Sequence, residues 1–289
     1  MLYICKKIRL YLSYSLCALL PLHAFFITWL RSGLPDNVTL NVLASWKEIV
    51  VVMIILLIGL ELTFEKQWQQ RIKNLDSLDC AIILYIGLSL LWLPFQESVL
   101  QWAWGFRLDL LPFVLLLALR QAAWEKSHLD LLIKIILTSA LIVVIFGLLQ
   151  ATVLPQNFLT HFGYAPPGGG FEAGQAISSC QYLEHTPHLC RATSTFGGPT
   201  RFGTYLLVLL GIVFGAIKGR QKVPAHLWLL SGVIIATIAL TYSRSVWLGA
   251  LGMAIVSAVW LLRIKIKIIV IGLGVFAVLT GLALTQLSQ

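Results

Sequence analysis

The feature that most constrains this chain is a succession of long apolar runs. They lie near residues 10–30, 48–64, 78–95, 108–120, 129–151, 201–217, 226–242, 245–262 and 268–285. An α-helix needs about 20 predominantly apolar residues to cross a hydrocarbon layer of roughly 30 Å. The run at 108–120 is short, and reaches spanning length if it extends back through Trp102-Ala103-Trp104-Gly105-Phe106. Hydrophobic residues make up 58% of the chain and charged residues 11%, where a soluble domain carries about 25% charged. With a mean hydropathy of +0.87, the chain holds more apolar surface than one water-soluble core can hide. The expected fold is all-α: a polytopic membrane protein of about nine transmembrane helices, forming a single membrane domain over residues 1–289.

The charges give this arrangement a direction. Lys and Arg number 21 against 12 acids, a net charge of +9. Such an excess in a soluble protein would raise nucleic-acid binding, but here it sits between the apolar runs and reads as a topology signal. Placing the N-terminus in the cytoplasm puts five basic clusters inside: Lys6, Lys7 and Arg9; Lys66, Arg71 and Lys73; Arg120 and Lys126; Lys218, Arg220 and Lys222; Arg263, Lys265 and Lys267. Lys134, about a turn inside its run, snorkels to the same side. Only Arg31, Lys47, Arg107, Arg191, Arg201 and Arg244 fall outside. The first run ends in Trp29-Leu30-Arg31 without small residues for cleavage, so it reads as a retained helix rather than a signal peptide.

One outer loop dominates, from about residue 152 to 200. It contains Pro155, then Pro166-Pro167-Gly168-Gly169-Gly170, a density of Pro and Gly that forbids a long helix. Loops of this length are functional or disordered. Of the five cysteines, Cys180 and Cys190 lie in it, ten residues apart. In an oxidising compartment they would close a short disulfide loop. The alternative is a zinc site from Cys180, Cys190, His185 and His188, whose spacing matches no standard zinc signature. No metal site and no cofactor are expected.

Three outer arginines depart from the inside bias: Arg191 after Cys190, Arg201 at the start of the sixth run, and Arg244 within Thr241-Tyr242-Ser243-Arg244-Ser245. A lone arginine at a lipid boundary is ordinarily a snorkelling residue. These three share their surroundings with the hydroxyls of Thr193, Ser194, Thr195, Ser243 and Ser245. Arginine pairs phosphate oxygens bidentately and keeps its charge at physiological pH, so the cluster suits a diphosphate. Gly197-Gly198-Pro199 makes a turn, after which Thr200 is expected to N-cap a helix beginning near Arg201. The helix N-terminus would then add backbone donors for an anion.

Two segments carry a resemblance. Arg191-Ala192-Thr193-Ser194-Thr195-Phe196-Gly197-Gly198-Pro199, followed by a helix, a basic inner turn, a second helix and Leu240-Thr241-Tyr242-Ser243-Arg244-Ser245-Val246-Trp247-Leu248, resembles the O-antigen ligase and polymerase family of bacterial inner-membrane proteins. The likeness is strongest over about residues 190–262, and the earlier runs match only in topology. It implies transfer of a glycan from undecaprenyl diphosphate to lipid A-core, a growing polysaccharide or a protein at the periplasmic face, without metal or nucleotide. Arg191 and Arg244 occupy the motif positions whose arginines engage the diphosphate in that family, and Arg201 stands where the family pattern differs, in Pro199-Thr200-Arg201.

The family continues into a second periplasmic loop with a catalytic histidine, whereas this sequence stops at Gln289. The resemblance therefore implies a fragment, a non-catalytic homologue or another base. His161, His185 and His188 do not fit the family position; Glu172, Glu184 and His185 lie on the side where an acceptor hydroxyl would be activated. A transporter is the competing class, but its ionisable residues belong near the bilayer midplane. Apart from Glu61 and Lys134 the runs are almost free of charge away from their ends, and Glu61 is expected to reach the inner interface.

Overall fold

The computed structural model describes residues 2–31, 33, 42–95, 98–168, 177–183, 186–218 and 224–262. The protein is mostly helical, and the helices coincide with the first eight apolar runs; the run at 268–285 lies outside the described residues. Leu2–Arg31 is a continuous helical stretch of α1 (Leu2–Leu19), a 3-10 turn at Leu20–Leu22, and α2 (His23–Arg31). Pro21 accounts for the turn, since it has no N–H for the α ladder. Then come α3 (Trp46–Phe64), α4 (Trp68–Lys73) and α5 (Ser77–Leu91). Asp76 starts α5 by accepting from the Asp79 N–H at 2.8 Å, while Asp79 reaches back to the Asp76 N–H. This amide bond, and after it the Arg120 guanidinium, hold the Asp76 carboxyl below its usual range.

The fourth run does extend backwards, through α6 (Val99–Gly105), a π turn at Phe106–Leu110 and α7 (Leu111–Gln121). After α8 (Lys126–Thr152) the chain leaves helix for a hairpin of β1 (Gln181–Leu183) and β2 (Thr186–Arg191), then returns to it in α9 (Pro199–Lys218), α10 (Ala225–Leu240) and α11 (Arg244–Leu262). Among the described residues, four helical stretches are long and apolar enough to cross a membrane: Leu2–Arg31, Val99–Gln121, Lys126–Thr152 and Pro199–Ile217. Ser77–Leu91, Ala225–Leu240 and Arg244–Ser257 are shorter apolar helices. By its contacts the chain falls into two compact units, Met1–Ser139 and Ala140–Gln289.

In the first unit, α1, α3 and α7 pack around Leu16, Ile54, Ile58 and Leu62. Several of its cations meet carboxylates. Arg107 donates to Glu48 at 2.8 Å, and Arg120 reaches Asp79 at 2.6 Å and Asp76 at 2.5 Å. Glu61 does not extend to an interface as expected. It is 4% exposed and takes a 2.9 Å bond from Arg9, itself 1% exposed. Arg9 also donates to the Ala123 carbonyl at 3.2 Å and lies 4.6 Å from the Trp124 ring centre. A buried glutamate has no low-energy state without a partner, and Arg9 is the cation that α1 presents to α3.

In the second unit the chain uses glycine where helices approach most closely. A Cβ on Gly203 would come within 2.5 Å of Val246, and one on Gly249 within 2.6 Å of Leu207. The side chain of Met253 seats against Gly211. These notches interlock α9 with α11 over several turns. Gly147 of α8 does the same for Phe202, which a Cβ would meet at 2.6 Å.

The Arg9–Glu61 pair generates a test by replacement. Glu61→Ala strands a buried guanidinium and is expected to cost about 3–5 kcal/mol, whereas a double Arg9→Met, Glu61→Leu change is expected to come close to neutral. Thermal unfolding in one detergent compares them; a double variant no better than Glu61→Ala overturns the pairing account.

Candidate functional site

The site is built on the last turn of α8. Gln150 lies there, 7% exposed, and its side-chain amide works in both directions. Its oxygen accepts from the Ser194 N–H at 2.7 Å, the Thr193 N–H at 3.2 Å and the Thr193 hydroxyl at 3.2 Å. Its nitrogen donates to Thr193 Oγ1 at 2.9 Å and to the Ser179 carbonyl at 3.3 Å. One turn and more before, the Val143 carbonyl accepts from the Ser194 hydroxyl at 2.6 Å. The extended segment after β2 is thus held on α8 by side-chain bonds that replace a regular ladder. Ser194 is pinned at a φ of 50°, a left-handed conformation that costs a non-glycine residue about 1–2 kcal/mol. Phe196 then stacks on Phe202, with ring centres 5.7 Å apart.

Arg191 joins this segment to the α10–α11 turn. Its Nε donates to the Thr241 carbonyl and its Nη2 to the Tyr242 carbonyl, both at 3.1 Å. The Ala192 N–H adds a bond to the Leu240 carbonyl at 2.9 Å. Tyr242, like Ser194, has a positive φ, 47°. The two segments singled out in the sequence therefore meet, and each carries one residue of positive φ at the junction. Burial lowers the pKa of Arg191, but an arginine stays protonated through the physiological range.

Thr200 does not cap the following helix as expected. Pro199 occupies the first helical position instead, where its missing N–H has no partner to lose. Thr200 stands inside the first turn and its hydroxyl contacts Ser243 at 3.2 Å, which in turn contacts Ser245 at 3.2 Å. Beside this turn is a recess of about 210 Å³ between Gln181, Arg191, Arg201 and the backbone from Gly197 to Thr200. A Cβ on Gly197 would press on Ile177 at 3.1 Å and only touch the Arg201 guanidinium, at 3.5 Å. At the roughly 30 Å³ that one liquid water occupies, the recess holds about seven waters, which is room for one phosphoryl group. Arg244 opens α11, exposed, and is not part of the lining. Neither Arg201 nor Arg244 has a hydrogen bond or ion pair among the described residues.

The loop's own covalent tie flanks the recess. Cys180 and Cys190 form a disulfide with Cα atoms 5.4 Å apart, inside the ordinary range. Gln181 and Arg191, the residues immediately after the two cysteines, pair in the hairpin ladder. Cys5, Cys17 and Cys80 are free thiols. With both loop sulfurs joined, a zinc site would lose its thiolates, and the described residues contain no cluster able to hold a metal. Of the candidate bases, Glu172, Glu184 and His185 lie outside the described residues, as does the side chain of His188. His161 is exposed, with Nδ1 3.0 Å from the Phe158 carbonyl oxygen.

Gln150 and Gln181 escaped the sequence reading. The signal for Gln150 was a single amide in the last turn of an otherwise apolar run; nothing in the linear order marked Gln181. No protein-family model, curated protein or solved structure matches the chain.

Two measurements follow from this geometry. Denatured protein without reductant is expected to titrate three thiols, and five after reduction; five in both states removes the disulfide. Gln150→Leu leaves two buried backbone donors unsatisfied and is expected to cost about 2–4 kcal/mol. Hydrogen exchange should then rise selectively at residues 193–194, and unchanged protection there would refute the clamp.

Proposed function

We propose that this protein is a bacterial inner-membrane glycan transferase with its N-terminus in the cytoplasm and nine membrane spans. It moves a glycan from undecaprenyl diphosphate to lipid A-core, another polysaccharide or a protein at the periplasmic face, in cell-surface polysaccharide biosynthesis. The observation that carries the reading is a contrast in charge. Arg9, Arg107 and Arg120 are each paired with a carboxylate, whereas Arg191 has only carbonyl partners and Arg201 and Arg244 none among the described residues. After Ser139 the only acids in the sequence are Glu172 and Glu184. Cations left without counter-ions beside a helix N-terminus favour an anionic ligand.

The chemistry assigned to these residues is electrostatic. A glycosyl diphosphate departs as an anion, so fixed cations at the diphosphate stabilise the charge that develops as the glycosidic bond breaks. Arg191 and Arg201 take the phosphoryl group in the recess, and Arg244 approaches it from the neighbouring turn. The acceptor hydroxyl loses its proton to a base from the outer loop, and no metal or organic cofactor takes part.

Arg244 gives the sharpest test because it is exposed and holds nothing in place. Arg244→Ala is expected to change stability by less than about 0.5 kcal/mol while lowering glycan transfer roughly 30-fold. Transfer is read from a radiolabelled lipid-linked glycan in membranes containing equal amounts of inserted protein. Undiminished transfer in both Arg244→Ala and Arg191→Ala would refute the proposal.

A further inference from the structure

The recess beside α9 holds a side chain that the contrast in charge does not use. Gln181 is 8% exposed, yet its carboxamide makes no hydrogen bond among the described residues. Buried polar groups are ordinarily hydrogen-bonded. Gln150, equally buried, spends its amide on five bonds. The two glutamines differ in what they meet. Gln150 meets the backbone of the loop, whereas Gln181 lines the recess, with Nε2 3.9 Å from where a Cβ on Gly198 would stand. An unpartnered amide at that place is a donor without an acceptor in the chain.

The backbone at Gln181 is held on both sides. Cys180, the residue before it, is joined to Cys190. The hairpin ladder sets Gln181 opposite Arg191, and an isolated bridge sets it beside Gly168.

The neighbours of the amide define the charge of what would complete it. Arg191 donates to the α10–α11 turn from Nε and Nη2 and makes no bond with Nη1. Arg201 has no partner among the described residues, and both arginines line the recess. The first turn of α9 adds backbone N–H groups that have no helical acceptor. No acid lines the recess. The carboxamide therefore contributes a further donor to a set that already carries two positive charges, in a space of about 210 Å³ that suits one phosphoryl group.

We infer that Gln181 is a direct ligand of a phosphoryl group in this recess, donating from its carboxamide nitrogen beside the guanidinium groups of Arg191 and Arg201. The inference rests on the reading that the recess takes a phosphoryl group, and it names the neutral side chain that completes the donor set.

Equilibrium binding to the full-length protein in detergent at low ionic strength tests it, with inorganic phosphate and farnesyl diphosphate as probes and circular dichroism as the folding check. Gln181→Leu is expected to weaken phosphate binding about tenfold, the worth of one hydrogen bond to a charged group. Gln181→Glu should weaken it further and Gln181→Lys should tighten it about tenfold, because the two place opposite charges against the anion. A residue that only supports the hairpin would lose binding in both. Matching losses in the Glu and Lys variants, unchanged affinity in Gln181→Leu, or no phosphate binding by the unaltered protein would each overturn the role. The second probe separates this inference from the glycan-transfer reading. Phosphate binding that follows residue 181, with no binding of farnesyl diphosphate, keeps Gln181 as a ligand and counts against a lipid-linked diphosphate.

Discussion

A buried backbone amide has no water to turn to, so its N–H and C=O must be answered by the protein. Helices answer most of them here. Where the chain gives up helix beside the membrane-length segments, side chains take over, and the heaviest burden falls on the Gln150 amide. It accepts from two consecutive backbone N–H groups and donates to the carbonyl of a third residue. Arg191 performs the complementary service, covering two successive carbonyls of the α10–α11 turn. Together with the Ser194 hydroxyl on Val143 and the Ala192–Leu240 bond, these two side chains hold the non-helical segment against the helices. The recess between Gln181 and Arg201 is a by-product of how they are held.

Charge is distributed on a different logic in each half of the chain. In the first unit, several cations and carboxylates close on one another, even where the pair is wholly buried, as for Arg9 and Glu61. An internal pair of this kind contributes little net stability, but it fixes which faces of α1 and α3 can meet. In the second unit the acids are nearly absent, and arginines stand beside serine and threonine hydroxyls. The first pattern satisfies its buried charge internally; the second leaves Arg201 and Arg244 without a counter-ion among the described residues.

Much of the helical architecture was legible in the linear order because a long apolar run is a simple signal. The eight described runs became helices, and the backward extension of the fourth to Val99 could be anticipated from its aromatic residues. Local chemistry was read less well. Thr200 looked like a cap because hydroxyl residues favour that position, yet Pro199 competes for the start of the helix and wins on its fixed φ. Glu61 looked able to reach an interface because Arg9, distant in sequence, gave no sign of being its partner. Gln150 was hidden for a similar reason: its five bonds all go to residues 179, 193 and 194, which only the folded loop brings near. The pairing of Gln181 with Arg191 depends on a hairpin that no alternation of residues announced.

The glycine notches between α9 and α11 also limit how this half of the molecule can work. With Val246 set into Gly203 and Leu207 into Gly249, translating one helix along the other would drive branched side chains into backbone. Opening or closing of the recess cannot proceed by helix shear. The α9–α11 pair is thus a fixed reference surface, and the segment carrying Gln181 and Arg191 is held on it by the Arg191 bonds to the α10–α11 turn and on α8 by Gln150.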